Sequence, residues 1–254
     1  INKLFSKFNL SFLEKNRITA QGSLLHKFTL KIDKNFKLID YDYKSNGNIS
    51  ESQIFLKNFF KTSFIEEPIN KISIFKTNFE INLNKQNNNF LIFDGLYNLG
   101  GLENKRFKVI HKLNKKNPKY LIDFNLSENV FLKLINFKTN LKNESNIKSE
   151  INFINNNITF KNINFTEGKN SISINDLKLN KKNEIESIFD IRVLTFNDNK
   201  ENNNFKITFK EKISIVGKKF DTTNLLSQLT SKNKENPLKN FTKDIEINLN
   251  DLIT

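Results

Sequence analysis

Two hundred and fifty-four residues suffice for one large β domain or two ordinary ones, and 37% hydrophobic content is lean for a closed core of that size. The lack of cysteine excludes disulfides, thiolate nucleophiles and thiolate metal sites, and no apolar run approaches the roughly 20 residues of a membrane-spanning helix. A net charge of +14, from 41 Lys and Arg against 27 Asp and Glu, suits nucleic acid, anionic lipid or an acidic partner.

The make-up of that charge favours a plainer reading. Only Arg17, Arg106 and Arg192 are arginines, Ala20 is the only alanine, and Asn, Lys, Ile and Phe dominate, as codons built from A and T would produce. We therefore read the lysines as lying on solvated faces with no base-reading role. The chain contains no Met and starts at Ile1, so it reads as an interior piece of a longer protein, with any anchor upstream.

In chain order, Phe8, Leu10 and Phe12 alternate with polar residues, then Ile18 to Leu24, then Phe28, Leu30 and Ile32, with Phe36 and Leu38 continuing the pattern. Period two places one face of each segment against something apolar. Asn46-Gly47 predicts a tight hairpin turn. The stretch Ser50 to Phe60 fits a short helix or a strand equally, since Ser50 and Gln53 have capping-box spacing. Strands are predicted at Ile72 and Ile74, at Phe79, Ile81 and Leu83, and at Phe90 and Ile92. A loop bearing Gly95, Gly100 and Gly101 follows, without P-loop or dinucleotide spacing.

Further strands are expected at Phe107, Val109, His111 and Leu113, and at Tyr120, Ile122, Phe124 and Leu126, with another over Val130, Leu132 and Leu134. Residues 140–146 form a polar break that could divide two sub-structures within one continuous 1–254 segment. The clearest meander runs from Ile147 to Val193. It comprises Ile147, Ser149, Ile151 and Phe153, then short segments at Ile158 and Phe160, Ile163 and Phe165, Ile172 and Ile174, and Leu177 and Leu179. A last segment carries Ile185, Ser187, Phe189, Ile191 and Val193. Phe205, Ile207 and Phe209 and then Ile213 and Ile215 follow. Asp221 can cap a helix over 221–231 with Leu225, Leu226 and Leu229 on one side. Ile245, Ile247 and Leu249 restart the strand pattern.

No catalytic constellation appears, so no enzyme activity, cofactor or metal is expected. His26 and His111 are the only histidines, and neither has a second ligand at metal-site spacing. The Asn-x-Ser/Thr matches, such as Asn48-Ile49-Ser50, are what any Asn-rich chain generates. What remains is the apolar stripe: Phe124, Leu126, Ile151, Phe153, Ile158, Phe160, Ile172, Ile174, Phe189, Ile191, Phe205, Ile207 and Phe209. With 26 Phe, four Tyr and no Trp, it has few polar handles. It could be the core of a compact sandwich or solenoid module, or the wall of a groove that keeps acyl chains from water.

The order strand, Ile215-Val216-Gly217-Lys218-Lys219-Phe220-Asp221, Leu-Leu-x-x-Leu at Leu225, Leu226 and Leu229, polar gap and new strand at Ile245 resembles the AsmA-like family of Gram-negative bacteria. Within it the likeness is to the long YhdP and TamB type. The specific match covers roughly the last hundred residues, with Gly217, Phe220 and Asp221 as the step into the helix; the first half agrees only in β periodicity. The resemblance implies an elongated, all-β, twisted antiparallel sheet curled into an open trough, interrupted by that one helix. It implies residence in the periplasm, an inner-membrane anchor upstream and an outer-membrane contact. Phospholipids would be the cargo, with no nucleic-acid partner and no catalytic residues.

Overall fold

In the computed structural model the chain forms one large open sheet; the residues described are 16–61, 65, 68–86, 89–100, 103–114, 117–140, 142–154, 157–181, 183–224 and 244–253. Its strands are β1 (Arg17–Ile32), β2 (Leu38–Phe60), β3 (Ile69–Asn84), β4 (Phe90–Asn98), β5 (Lys105–Lys112) and β6 (Lys119–Asn125). After the short pair β7 (Phe131–Leu132) and β8 (Phe137–Lys138) come β9 (Ser145–Ile154), β10 (Asn157–Glu167) and β11 (Asn170–Leu179). Then follow β12 (Ile185–Ser187), β13 (Asp190–Asn197), β14 (Lys200–Phe209), β15 (Ile213–Asp221) and β16 (Ile245–Ile253).

Thirteen strands lie side by side in the order β1-β2-β3-β4-β5-β6-β9-β10-β11-β13-β14-β15-β16, with β12 on β11, and the sheet does not close on itself. At ~4.8 Å per strand this is roughly 60 Å across the strands. Every pairing is antiparallel except that of β15 with β16, where Ile213 lies opposite Ile245 and Phe220 opposite Leu252. The antiparallel meander expected from the sequence therefore ends one strand early, since β16 runs beside β15 in the same direction.

Cross-strand partners point to the same side of a sheet, so the register defines its two faces. One row of partners runs Tyr43, Leu83 and then, through Ile81 and Leu91, to His111, Tyr120 and Ile151. A second runs Phe93, Val109, Ile122, Ser149, Ile163, Ile174, Ile191, Ile207, Ile215 and Ile247. The opposite face carries the row Asp94, Lys108, Asp123, Lys148, whose signs alternate from strand to strand. Its ion pairs are Lys108 to Asp94 at 3.2 Å and Lys148 to Asp123 at 3.3 Å. These are exposed pairs worth little singly; they keep like charges from meeting and keep that face wet.

Bulges hold the apolar face together along each strand. A register shift at Ser50 and another at Lys76, whose φ is 44°, change the parity so that Ile49 and Ile54 of β2, or Ile74 and Phe79 of β3, share a side. Lys161 and Asp176 (φ 47°) do the same in β10 and β11, and their side chains pair at 2.8 Å. The pairs Ile158 and Phe160, Ile163 and Phe165 read as successive short segments, yet both belong to β10; Ile172 to Leu179 is likewise one strand. The break in alternation is an extra residue in a continuous ladder.

Several local expectations are corrected. Asn46-Gly47 is not a turn but lies inside the 23-residue β2, and the actual β1–β2 turn is Asp33–Lys37. Gly47 is required because a Cβ there would sit 2.1 Å from the Ser23 carbonyl oxygen and 2.9 Å from the Phe79 ring. Phe36 is in the turn rather than a strand, Ser50 to Phe60 is strand, and Gly95 belongs to β4 rather than a loop. Of Val130, Leu132 and Leu134, only Leu132 is in a strand; Lys133–Ile135 form a 3₁₀ turn. The expected 185–193 strand is broken into β12 and β13. Phe8 to Phe12 and the helical leucines Leu225, Leu226 and Leu229 lie outside the described residues. Asp221 is the last residue of β15, and its carboxylate accepts from the Thr223 backbone N–H and hydroxyl at 3.2 and 2.6 Å.

Gly47→Ala tests this placement: overpacking against backbone should destabilise the sheet by about 1–3 kcal/mol in urea unfolding. A Gly47 in a solvent-exposed hairpin turn would tolerate Ala far better.

Candidate functional site

The site is the apolar face. Phe124 of β6 faces with Phe107 and Ile147; Ile151 and Phe153 of β9 with Phe160 and Ile158 of β10; Ile172 and Ile174 of β11 with Val193 and Ile191 of β13. Phe205, Ile207 and Phe209 of β14 stand opposite Val193, Ile191 and the start of β15. Leu126 follows directly after β6, its N–H donating to the Ser145 carbonyl. Twelve of the thirteen stripe residues are buried or half-buried, and the register joins those on the strands into one surface. Phe189 departs from the rest. It lies between β12 and β13 and is 61% exposed, although its N–H donates to the Asn175 carbonyl at 3.1 Å and its carbonyl accepts from the Phe209 N–H at 3.4 Å.

Few of these side chains are deeply buried. Among the described residues the one well-formed cluster is Val193, Phe205 and Phe220, with Phe205 and Phe220 rings 4.6 Å apart and Ile135, Ile172 and Ile191 packed around them. Gly217 belongs to the same spot, since a Cβ would meet the Asn204 carbonyl oxygen at 2.3 Å and Phe205 Cα at 2.5 Å. Elsewhere the face is a single layer, half-open.

What covers the cluster is the excursion between β6 and β9, which the strand pattern did not reveal. It crosses onto the apolar face with Phe137, 1% exposed, edge-on to Phe165 at 5.8 Å between centroids. Polar groups lock it there. Asn203, fully buried, donates to the Ile135 carbonyl at 2.7 Å and the Thr195 hydroxyl at 2.8 Å, and accepts from the Asp221 N–H at 2.9 Å. Asn136 donates to the Asp221 carboxylate at 2.9 Å. Glu167, 2% exposed, accepts from the Asn140 N–H and the Ser145 hydroxyl, each at 2.8 Å. Satisfied buried polar groups of this kind fix one arrangement, and losing one partner strands the other. The signal available in the sequence was the isolated run Phe131 to Phe137 between polar stretches.

Burial alone would raise the Asp221 carboxyl, but hydrogen bonds from Thr223 and Asn136 outweigh it and hold it below its ordinary value. Asp190, on the polar face and 1% exposed, is also held low: burial opposes, while the hydrogen bonds of Asn175 and Lys206 and the charges of Lys206 and Arg192 prevail. His111 behaves oppositely. It stacks on Tyr120 at 3.9 Å, its Nε2 is buried without a partner, and burial lowers its pKa to about 4. His26 instead meets the Tyr43 hydroxyl at 2.9 Å. Among the described residues no three His, Asp or Glu side chains converge as a metal site would need. The face offers dispersion and exclusion of water; its chemistry is that of a binding wall.

The unfolded chain protonates His111 near 6.5 while the folded one resists until about pH 4, so stability falls as pH drops through that window. Urea midpoints at pH 7 and pH 5 should differ, and His111→Phe should remove most of the difference. A second loss, below about pH 3.8, is expected as Asp190 and Asp221 protonate. An unchanged midpoint difference in the His111→Phe variant would refute the first assignment. No protein-family model, no curated protein and no solved structure matches the chain, so the account of this site rests on its own geometry.

Proposed function

We propose that the sheet is a segment of a lipid-carrying bridge of the AsmA-like kind, whose apolar face holds phospholipid acyl chains. The observation that carries this reading is an apolar face continuous across the strands, while the other face carries the ion-paired charges, with an apolar row limited to Ile92, Ile110 and Leu121 and the Phe75–Leu96 pair. Among the described residues, the only other sheet is the two-stranded β7–β8 pair, and it covers only the neighbourhood of Phe165 and Phe205. A half-buried Phe or Ile wall of this length has unspent affinity for hydrocarbon, at about 0.8 kcal/mol per CH₂ removed from water. The family resemblance around Gly217, Phe220 and Asp221 supports the same assignment, and with it residence in the periplasm, an upstream inner-membrane anchor and an outer-membrane contact. Catalysis has no part in it.

Lysine on the polar face fits a role in solubility. Lys206 lies opposite Arg192 on the charged face and pairs with Asp190 at 3.0 Å. A long single-layer sheet with exposed edges needs such charges to discourage edge-to-edge association.

Uptake of a fluorescent phospholipid and of an oligonucleotide, each at low and physiological salt, tests the proposal. Acyl-chain binding should persist or strengthen as salt rises, whereas binding to phosphates should collapse. Phe160→Asp and Ile174→Asp should each abolish lipid uptake while the β circular dichroism persists. Global unfolding by either substitution would instead indicate a closed core, and salt-resistant oligonucleotide binding without lipid uptake would refute the reading.

A further inference from the structure

Register places Leu24, Phe28, Leu30, Ile32 and Leu38 of the β1–β2 hairpin on the edge of the apolar face, but the turn residue Phe36 lies beyond the ladder, and the trough does not explain it. Eight of the seventeen exposed large apolar side chains among the described residues lie between Leu24 and Ile39. They culminate at the turn, where Phe36 is 86% exposed and Ile32 and Leu38 are each 50% exposed. Lys27, Lys31, Lys34 and Lys37 surround them, and among the described residues none of these four has an ion-pair partner. On the next turn of the same end of the sheet, the Lys85 ammonium donates to the Ile39 carbonyl, which places another cation beside the tip.

The turn holds Phe36 outward against its own preference. Phe36 has φ 59°, a left-handed conformation uncommon for an aromatic residue. The Asp33 carboxylate accepts from the Asn35 and Lys37 N–H groups at 2.9 and 2.8 Å, while the Asp33 and Phe36 N–H groups donate to the Lys37 and Asp33 carbonyls at 2.9 and 3.0 Å. Four hydrogen bonds thus over-determine a strained apex, and such strain persists where the surrounding structure enforces it. A solvent-exposed turn with no other role would place Asn or Gly there.

We infer that this hairpin tip docks on an anionic bilayer, with Phe36 inserted among the acyl chains at the headgroup boundary and Lys34 and Lys37 on the lipid phosphates. Charge complementarity selects the anionic surface, and the aromatic and aliphatic apex selects a bilayer over nucleic acid, for which apolar Ile32 and Leu38 have no use and where arginine forks would be expected. The inference stands apart from acyl-chain carriage, because docking is read on intact vesicles whether or not the trough takes up lipid.

The chain contains no tryptophan, so Phe36→Trp introduces a single reporter. Its emission should shift to the blue on adding vesicles of phosphatidylcholine with phosphatidylglycerol, and shift far less with phosphatidylcholine alone. In flotation assays Phe36→Asn should weaken binding roughly tenfold, and replacing Lys34 or Lys37 by Glu roughly fivefold per lysine at low salt. Asn accepts the left-handed apex, so Phe36→Asn should fold with an unchanged or higher urea midpoint, which separates lost docking from lost structure. Vesicle binding by Phe36→Asn equal to that of the parent, a Phe36→Trp emission indifferent to vesicles, or an oligonucleotide preferred over vesicles would each overturn the assignment.

Discussion

The hydrogen-bond register of the sheet is the constraint on which the rest depends. A one-residue slip between neighbours would send every side chain beyond it to the other face, and here thirteen strands must agree. Where the geometry of a strand demands an extra residue, the structure places matched bulges so that parity changes in the sequence but not in space. Ser50 and Lys76 serve β2 and β3, and Lys161 and Asp176 serve β10 and β11. The cost is a left-handed backbone at Lys76 and Asp176; the return is an unbroken apolar surface.

A single layer has no opposing sheet to order it, so its fixed points are polar. The excursion after β6 is seated by Phe137 and Ile135 but oriented by Asn203, Asn136, Asp221 and Glu167, whose partners lie far along the chain. In this low-dielectric pocket each hydrogen bond is strong and each missing partner costly. The covered cluster at Val193, Phe205 and Phe220 then forms a closed corner beside an otherwise open wall.

The division of labour between faces follows from the same register. Lysines at alternate positions meet aspartates across the strands on one side, where Ile92, Ile110 and Leu121 also line up, while most of the phenylalanine and isoleucine occupies the other. The positive excess is therefore spent largely on solvating a wide sheet, and the lysines left without carboxylate partners around Phe36 stand out because they accompany exposed hydrocarbon. The proposed acyl-chain wall and the proposed bilayer-docking tip meet at the β1–β2 edge, where Ile32 and Leu38 continue the apolar face and Phe36 projects beyond it.

The period-two alternation of Phe, Ile and Leu determined the all-β class and the apolar positions of most strands, though not the bounds of β2, β10, β11, β12 and β13, because a pleated strand half-exposed to water admits that pattern and few others. Of the thirteen stripe residues it picked out, twelve lie buried or half-buried, including Phe160, Ile174 and Phe205. Local pattern could not distinguish a bulge from a strand end, so β10 and β11 read as pairs of short segments. It also could not see that Gly47 makes room for Phe79 rather than a turn, since that reason lies 32 residues away in sequence. The parallel placement of β16, the exposure of Phe189, the seat of the excursion on the face and the strained apex at Phe36 were decided by tertiary structure alone. Each depends on partners brought together by the folded sheet, and alternation along one strand carries no information about those.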